Sequence, residues 1–167
     1  SGMSTPPVTG ESSLKYFIDR LAVAKSAPYE EHILLVHNVC LAQSDVDAAK
    51  EVMKNVYWAV CPLSNIFIHN ALPPIPLMMK NDLKVVVGTD SLSSNDDLDM
   101  VKELYCLHAD FPEVPMTKLL EWACCNGAEF LKKEELGSLS AGKRPGIVLV
   151  NDIDDEGNIT AQSWSER

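Results

Sequence analysis

The sequence predicts an α/β fold, with a parallel sheet covered by helices on both faces. Two observations carry this expectation. Short apolar runs recur at "ILLV" (33–36), "VYWAVC" (56–61) and "KVVVG" (84–88), and helical patterning separates them. Continuous apolar runs of this length suit strands buried on both sides. In addition, each run stops in polar residues at the same topological position.

The elements follow in order. Residues 3–10 are rich in Pro, Ser and Thr and are expected to be loose. Ser1-Gly2 ahead of Met3 reads as a tag scar, so residues 1–10 are set apart as a lead. Leu14, Phe17, Ile18 and Leu21 then fall at i, i+3, i+4 and i+7, one face of a helix. "SAPYEEH" reads as a loop before the first strand. Ser44 with Asp47 resembles a capping box, opening a helix with Val46, Ala49 and Met53 inward. The second strand is stopped by Pro62, and residues 62–73 read as a loop. "PIPLMMKND" gives a short helix, with proline in the first turn where no amide donor is missed. After the third strand, Asp97 is expected to cap a helix with Leu98, Val101, Leu104 and Tyr105 inward. A further helix runs from about Pro115 to Leu131. "GSLSAGKRPGIVLV" reads as a turn and a fourth strand, with one more short strand at 158–163.

Composition narrows the function classes. The 167 residues carry a net charge of −10. Such a surface repels phosphate backbones and anionic lipid, which argues against nucleic-acid and membrane partners. No apolar run approaches the ~20 residues that cross a bilayer. The five cysteines, Cys40, Cys61, Cys106, Cys124 and Cys125, form no C-x-x-C pair. They read as small buried thiols of a reduced, cytoplasmic chain.

In parallel α/β folds the C-terminal edge of the strands builds the site. The first strand ends in His37-Asn38, the second in Cys61-Pro62-Leu63-Ser64-Asn65, the third in Thr89-Asp90-Ser91. If the strands are neighbours, these residues converge. Singly, each has a plainer reading: a loop histidine, a proline turn, a helix cap. Their shared position favours a site. His69 could reach it, whereas His32 precedes its strand and His108 sits on a later helix. Cys61 has no base placed for it. Ser64, His37 and Asp90 have the residue types of a hydrolase triad, but Ser64 lacks a G-x-S-x-G elbow.

These same stretches resemble the amidohydrolase superfamily, in its metal-dependent deaminase and chlorohydrolase branch. "VVVGTDSLSSNDDLDM" is similar to the last barrel strand and its loop, "LLVHNVCL" to the sixth strand and "AVCPLSNIFI" to the seventh. "LLEWACCNGAEFL" resembles the helix after the barrel, and "LGSLSAGKRPGIVLVND" the return to a small β-domain. Pro145-Gly146 departs from the Ala-Asp usual there. The resemblance implies a partial (β/α)8 barrel over 11–134, strands six to eight, and the start of a small β-domain over 135–167. It implies hydrolytic removal of an amino group or chloride from a purine, pterin-like or triazine ring. Asp90 would be a ligand of a divalent metal, zinc or iron, and a proton shuttle. His37 would polarise the reacting group, Ser64 and Asn65 would shape the pocket, and Asn95 and Ser91 would lie in the final loop around the substrate.

The same resemblance requires an H-x-H pair and a further histidine that this sequence lacks. A whole barrel takes roughly 250 residues. The chain is therefore expected to be the C-terminal part of such an enzyme, inactive alone and holding no metal tightly. Its partners would be the N-terminal half of the barrel and a small-molecule substrate, with self-association through open sheet edges. The alternative is a self-standing, non-catalytic α/β module for binding or assembly.

Overall fold

The computed structural model describes residues 8–24 and 29–166. Most of the lead expected over 1–10, and the first part of the loop expected over 26–32, lie outside the described residues. Helix α1 (Ser13–Ala24) comes first, followed by strand β1 (Tyr29–Val36), helix α2 (Gln43–Val52) and strand β2 (Met53–Val60). Helices α3 (Pro62–His69) and α4 (Ile75–Lys80) lead to strand β3 (Lys84–Val87). Helix α5 (Met100–Asp110) is followed by α6 (Met116–Leu120), a π-helical turn (Glu121–Cys125) and α7 (Asn126–Phe130). Strands β4 (Leu149–Asn151) and β5 (Trp164–Glu166) close the chain.

The sheet is parallel with order β1-β2-β3. The middle strand explains its own sequence: Tyr57, Trp58, Ala59 and Val60 are all buried. Helices supply the cover, with Val46 and Ala49 of α2, Ile75 and Met78 of α4, and Val101, Leu104 and Leu107 of α5 in one core. Trp122 of the π-helical turn joins that core. Strands β4 and β5 form a separate antiparallel pair.

Several expectations are corrected. β1 begins at Tyr29, so Tyr29–Glu31 are strand and His32 lies within it. β1 is also not buried on both faces: Ile33–Leu35 are half-buried and Val36 is exposed, because β1 lies at the sheet edge. The cap of α2 lies at Ala42, whose N–H donates to Asp45, rather than at Ser44. Residues 62–69 are a helix: proline is tolerated at the first helical position, and Asn70 ends it in the left-handed region (φ 50°). Asp99, not Asp97, caps α5 by accepting from Val101 N. Leu98 therefore precedes that helix and is exposed, as is Tyr105, while Glu103 takes an inward position. Residues 158–163 are not a strand. Asp154 accepts from the backbone N–H of Glu156 and Asn158, which turns the chain, and pairing starts only at Trp164. Cys61 and Cys106 are buried, but Cys40, Cys124 and Cys125 are exposed; all are free thiols.

Candidate functional site at the strand ends

Parallel register brings the three strand ends level. Val36 pairs with Ala59, and Val60 with Val87, so the next residues of each strand leave the same edge. The backbone turns sharply there. His37 (φ 72°), Asn38 (φ 59°) and Asp90 (φ 59°) all adopt the left-handed region. Non-glycine residues seldom do so, and such strain collects at functional sites. The turn after β1 is held by His37 N donating to Ala59 O, and by the Asn38 amide donating to Leu35 O and Ala59 O.

Asp90 lies at the centre. Its Oδ2 accepts from Ser64 Oγ at 2.8 Å and from Ser94 Oγ at 3.1 Å. His37 Nε2 stands 3.7 Å from the same oxygen. Donation from Ser64 first, then Ser94, with the Ser91 N–H and His37 adding, holds the Asp90 carboxyl below its ordinary range. Asn65 is fully buried, and its Oδ1 accepts from Cys61 N at 3.3 Å. That contact fixes the amide, so Nδ2 donates to His37 Nδ1 at 3.0 Å. The imidazole proton then sits on Nε2, the nitrogen facing Asp90. Proline at the start of α3 lets the first turn follow β2 at once, which is how Ser64 and Asn65 reach the two partners.

Residues 17–163 match the sequence profile of the Amidohydrolase family. The chain belongs to the amidohydrolase family. It is 35% identical, over 71% of its own length and 29% of the relative's, to a 5-methylthioadenosine/S-adenosylhomocysteine deaminase of Moorella thermoacetica. An S-triazine hydrolase of Gordonia rubripertincta is 25% identical over 73% of this chain and 27% of its own. Among solved structures, an adenosine deaminase from Xanthomonas campestris with bound zinc superposes with a TM-score of 0.66 at 25% identity. That match covers 85% of this chain and 32% of the deaminase. The chain thus spans about a third or less of the relatives it matches.

This amidohydrolase chain places its other candidates more variously. Ser91 is exposed, and its hydroxyl accepts from Ser93 N. Asn95 donates to Thr89 O at 2.8 Å and to Glu103 Oε1 at 2.6 Å, so its amide nitrogen ties the loop. Asn95 and Ser94 line a groove between α3 and α5, whereas His37 and His69 line one beside α1 and β1. His32 is structural: its Nδ1 meets Phe130 O at 3.0 Å and its ring packs on Tyr57. Cys61 is buried and its thiol is pushed up to about 11, chiefly by burial and then by Asp90 and Glu103. A thiolate nucleophile does not form there. Ser64 is fully buried and donates to Asp90 rather than His37, so no serine triad is assembled.

Two residues escaped the sequence reading, Ser94 and Glu103. Neither was singled out: Ser94 lies within a polar loop, and a glutamate on a helix ordinarily faces solvent. The signal for Glu103 was its placement two residues after Val101 and just before Leu104, both inward-facing. Among the described residues, no three His, Cys, Asp or Glu side chains gather to hold a metal. The donors at the strand ends are one carboxylate and one imidazole, set among hydroxyls and amides. They do not by themselves fit a zinc centre, which takes about three protein ligands.

Proposed function

We propose that this chain supplies the closing strand ends of a hydrolytic site that removes an amino group or chloride from a purine, pterin-like or triazine ring. The observation that carries it is the ionised Asp90, held by Ser64 and Ser94 at the C-terminal edge of β3 and faced by His37. The deaminase and triazine-hydrolase relatives support the reaction class. Asp90 serves as one metal ligand, zinc or iron, and as the carboxylate that takes and returns a proton. A bound metal would supply acidified water and polarise the ring. His37 donates from Nε2 toward the substrate's reacting group, and Asn65 keeps that tautomer. Ser64 holds Asp90 in place, and Ser91 and Asn95 border the substrate. Residues 11–134 form the barrel part and 135–167 the return to a small β-domain. The remaining ligands belong to a further portion of the barrel, and without them the chain is inactive.

Coding DNA upstream of the Met3 codon, read in frame, tests this. An apolar strand followed by H-x-H is expected, and an in-frame stop in its place would overturn the reading. The purified chain, given zinc and 5′-methylthioadenosine or a chlorotriazine, is expected to show no turnover above background. Turnover that disappears in Asp90→Ala would refute the inactivity and keep the role of Asp90.

A further inference from the structure

A carboxylate lies buried behind the strand ends. Glu103 of α5 is fully inaccessible. Its Oε2 accepts from the backbone N–H of Leu63 at 2.9 Å, and its Oε1 from Asn95 Nδ2 at 2.6 Å. Leu63 is the second residue of α3, and first-turn amides find no acceptor within their own helix. The next two residues are Ser64, which holds Asp90, and Asn65, which holds His37. On the other arm, the same Asn95 nitrogen donates to Thr89 O, the residue before Asp90. One carboxylate therefore grips both segments that carry the site.

We propose that Glu103 is a positioning residue that sets the first turn of α3 against the loop after β3, so that His37 and Asp90 face one another. The proposal deepens the reading of those two as the reacting pair, and rests on it for its functional meaning. An ionised carboxylate suits the task because both partners are donors and it only accepts. Glutamine has nearly the same shape but turns one donor toward Leu63 N–H or Asn95 Nδ2. Flipping Asn95 to relieve the clash would forfeit its bond to Thr89. An apolar residue would leave the Leu63 N–H buried without a partner. The site also opposes its own charge: burial pushes the Glu103 carboxyl up to about 7, with Asp97 and Asp90 adding to the rise. An acid kept against desolvation and two like charges has a use beyond packing.

The test compares Glu103→Gln with Leu107→Ala, a core truncation one turn further along α5. Nitrogen-15 spectra of the whole chain would report the Leu63, Ser64 and Asp90 amides and the His37 ring nitrogens. In the wild type, the Leu63 amide is expected to be protected from hydrogen exchange. Glu103→Gln should lower that protection roughly tenfold or more. It should also shift the His37 ring nitrogens and the Asp90 amide, while Leu107→Ala lowers stability and leaves these signals in place. If Glu103→Gln leaves His37 and Asp90 unmoved, or Leu107→Ala moves them equally, Glu103 is a core residue only and the proposal fails. If Glu103→Gln does not fold, the wild type decides: an unprotected Leu63 amide overturns the proposal and a protected one supports it. None of these signals needs substrate, so they stand or fall apart from the proposed activity.

Discussion

Asp90 and Glu103, thirteen positions apart, meet opposite electrostatics. Asp90 collects two hydroxyl donors and a backbone N–H, and its side chain keeps 32% exposure, so its ionised form is favoured. Glu103 has no access to water, and that burial outweighs its two N–H donors, so its neutral form gains. The difference sets a pH dependence. The folded Glu103 carboxyl titrates at about 7, above the ordinary 4.5 of the unfolded chain. Between those values the folded state binds more protons at Glu103, so that group's contribution to stability is fully present below pH 4.5 and is lost as pH rises through 7. Urea unfolding at a series of pH values should show wild type losing on the order of 1–3 kcal/mol relative to Glu103→Gln across that window. Equal slopes in the two proteins would contradict it. Asp90 was legible in the sequence because it follows an apolar strand. Glu103 was not, because a glutamate in a helix reads as solvent-facing until the packing around it is known.

At the scale of elements, α5 and the sheet edge each carry an expectation. The helix starts where Asp99 accepts from Val101 N, while Asp97 accepts from Asp99 N and pairs with Lys102. Asp99→Ala should cost about 1 kcal/mol in chemical denaturation. Asp97→Ala should cost less, because an exposed ion pair contributes little; the reverse order would return the cap to Asp97. The edge of β1 presents half-buried Ile33 and Leu35 and exposed Val36 beside α1. Strand edges of this kind pair with other chains. Light scattering should show association that grows with concentration and weakens in Val36→Lys. A monomer at all concentrations would count against it. The strands were legible as apolar runs, but their ends and the short α3 were not. Pro62 is both a strand stop and an allowed first residue of a helix, and only the surrounding chain selects between the two.

For the whole molecule, three parallel strands bring together one carboxylate and one imidazole, not a metal-ligand set. Zinc titrated calorimetrically into this chain is therefore expected to bind more weakly than roughly micromolar. Sub-micromolar binding that is lost in Asp90→Ala would show that these residues suffice. Among the described residues no helix is long and apolar enough to cross a membrane. The net charge of −10 argues against a polyanionic partner.

The sequence by itself determined the class of fold and that His37, Ser64, Asn65 and Asp90 each follow the end of a strand. Apolar runs and their polar ends are local signals, and parallel strands make a shared position in sequence a shared position in space. The tertiary structure alone decided which atoms meet. It turned Ser64 toward Asp90 instead of His37, gave the Asn95 amide to Glu103 and Thr89, and sealed Glu103 beneath α3. Those outcomes depend on contacts between residues 6 to 40 positions apart, which no local pattern encodes. Each arises because a buried polar group must find its partner wherever packing has placed one.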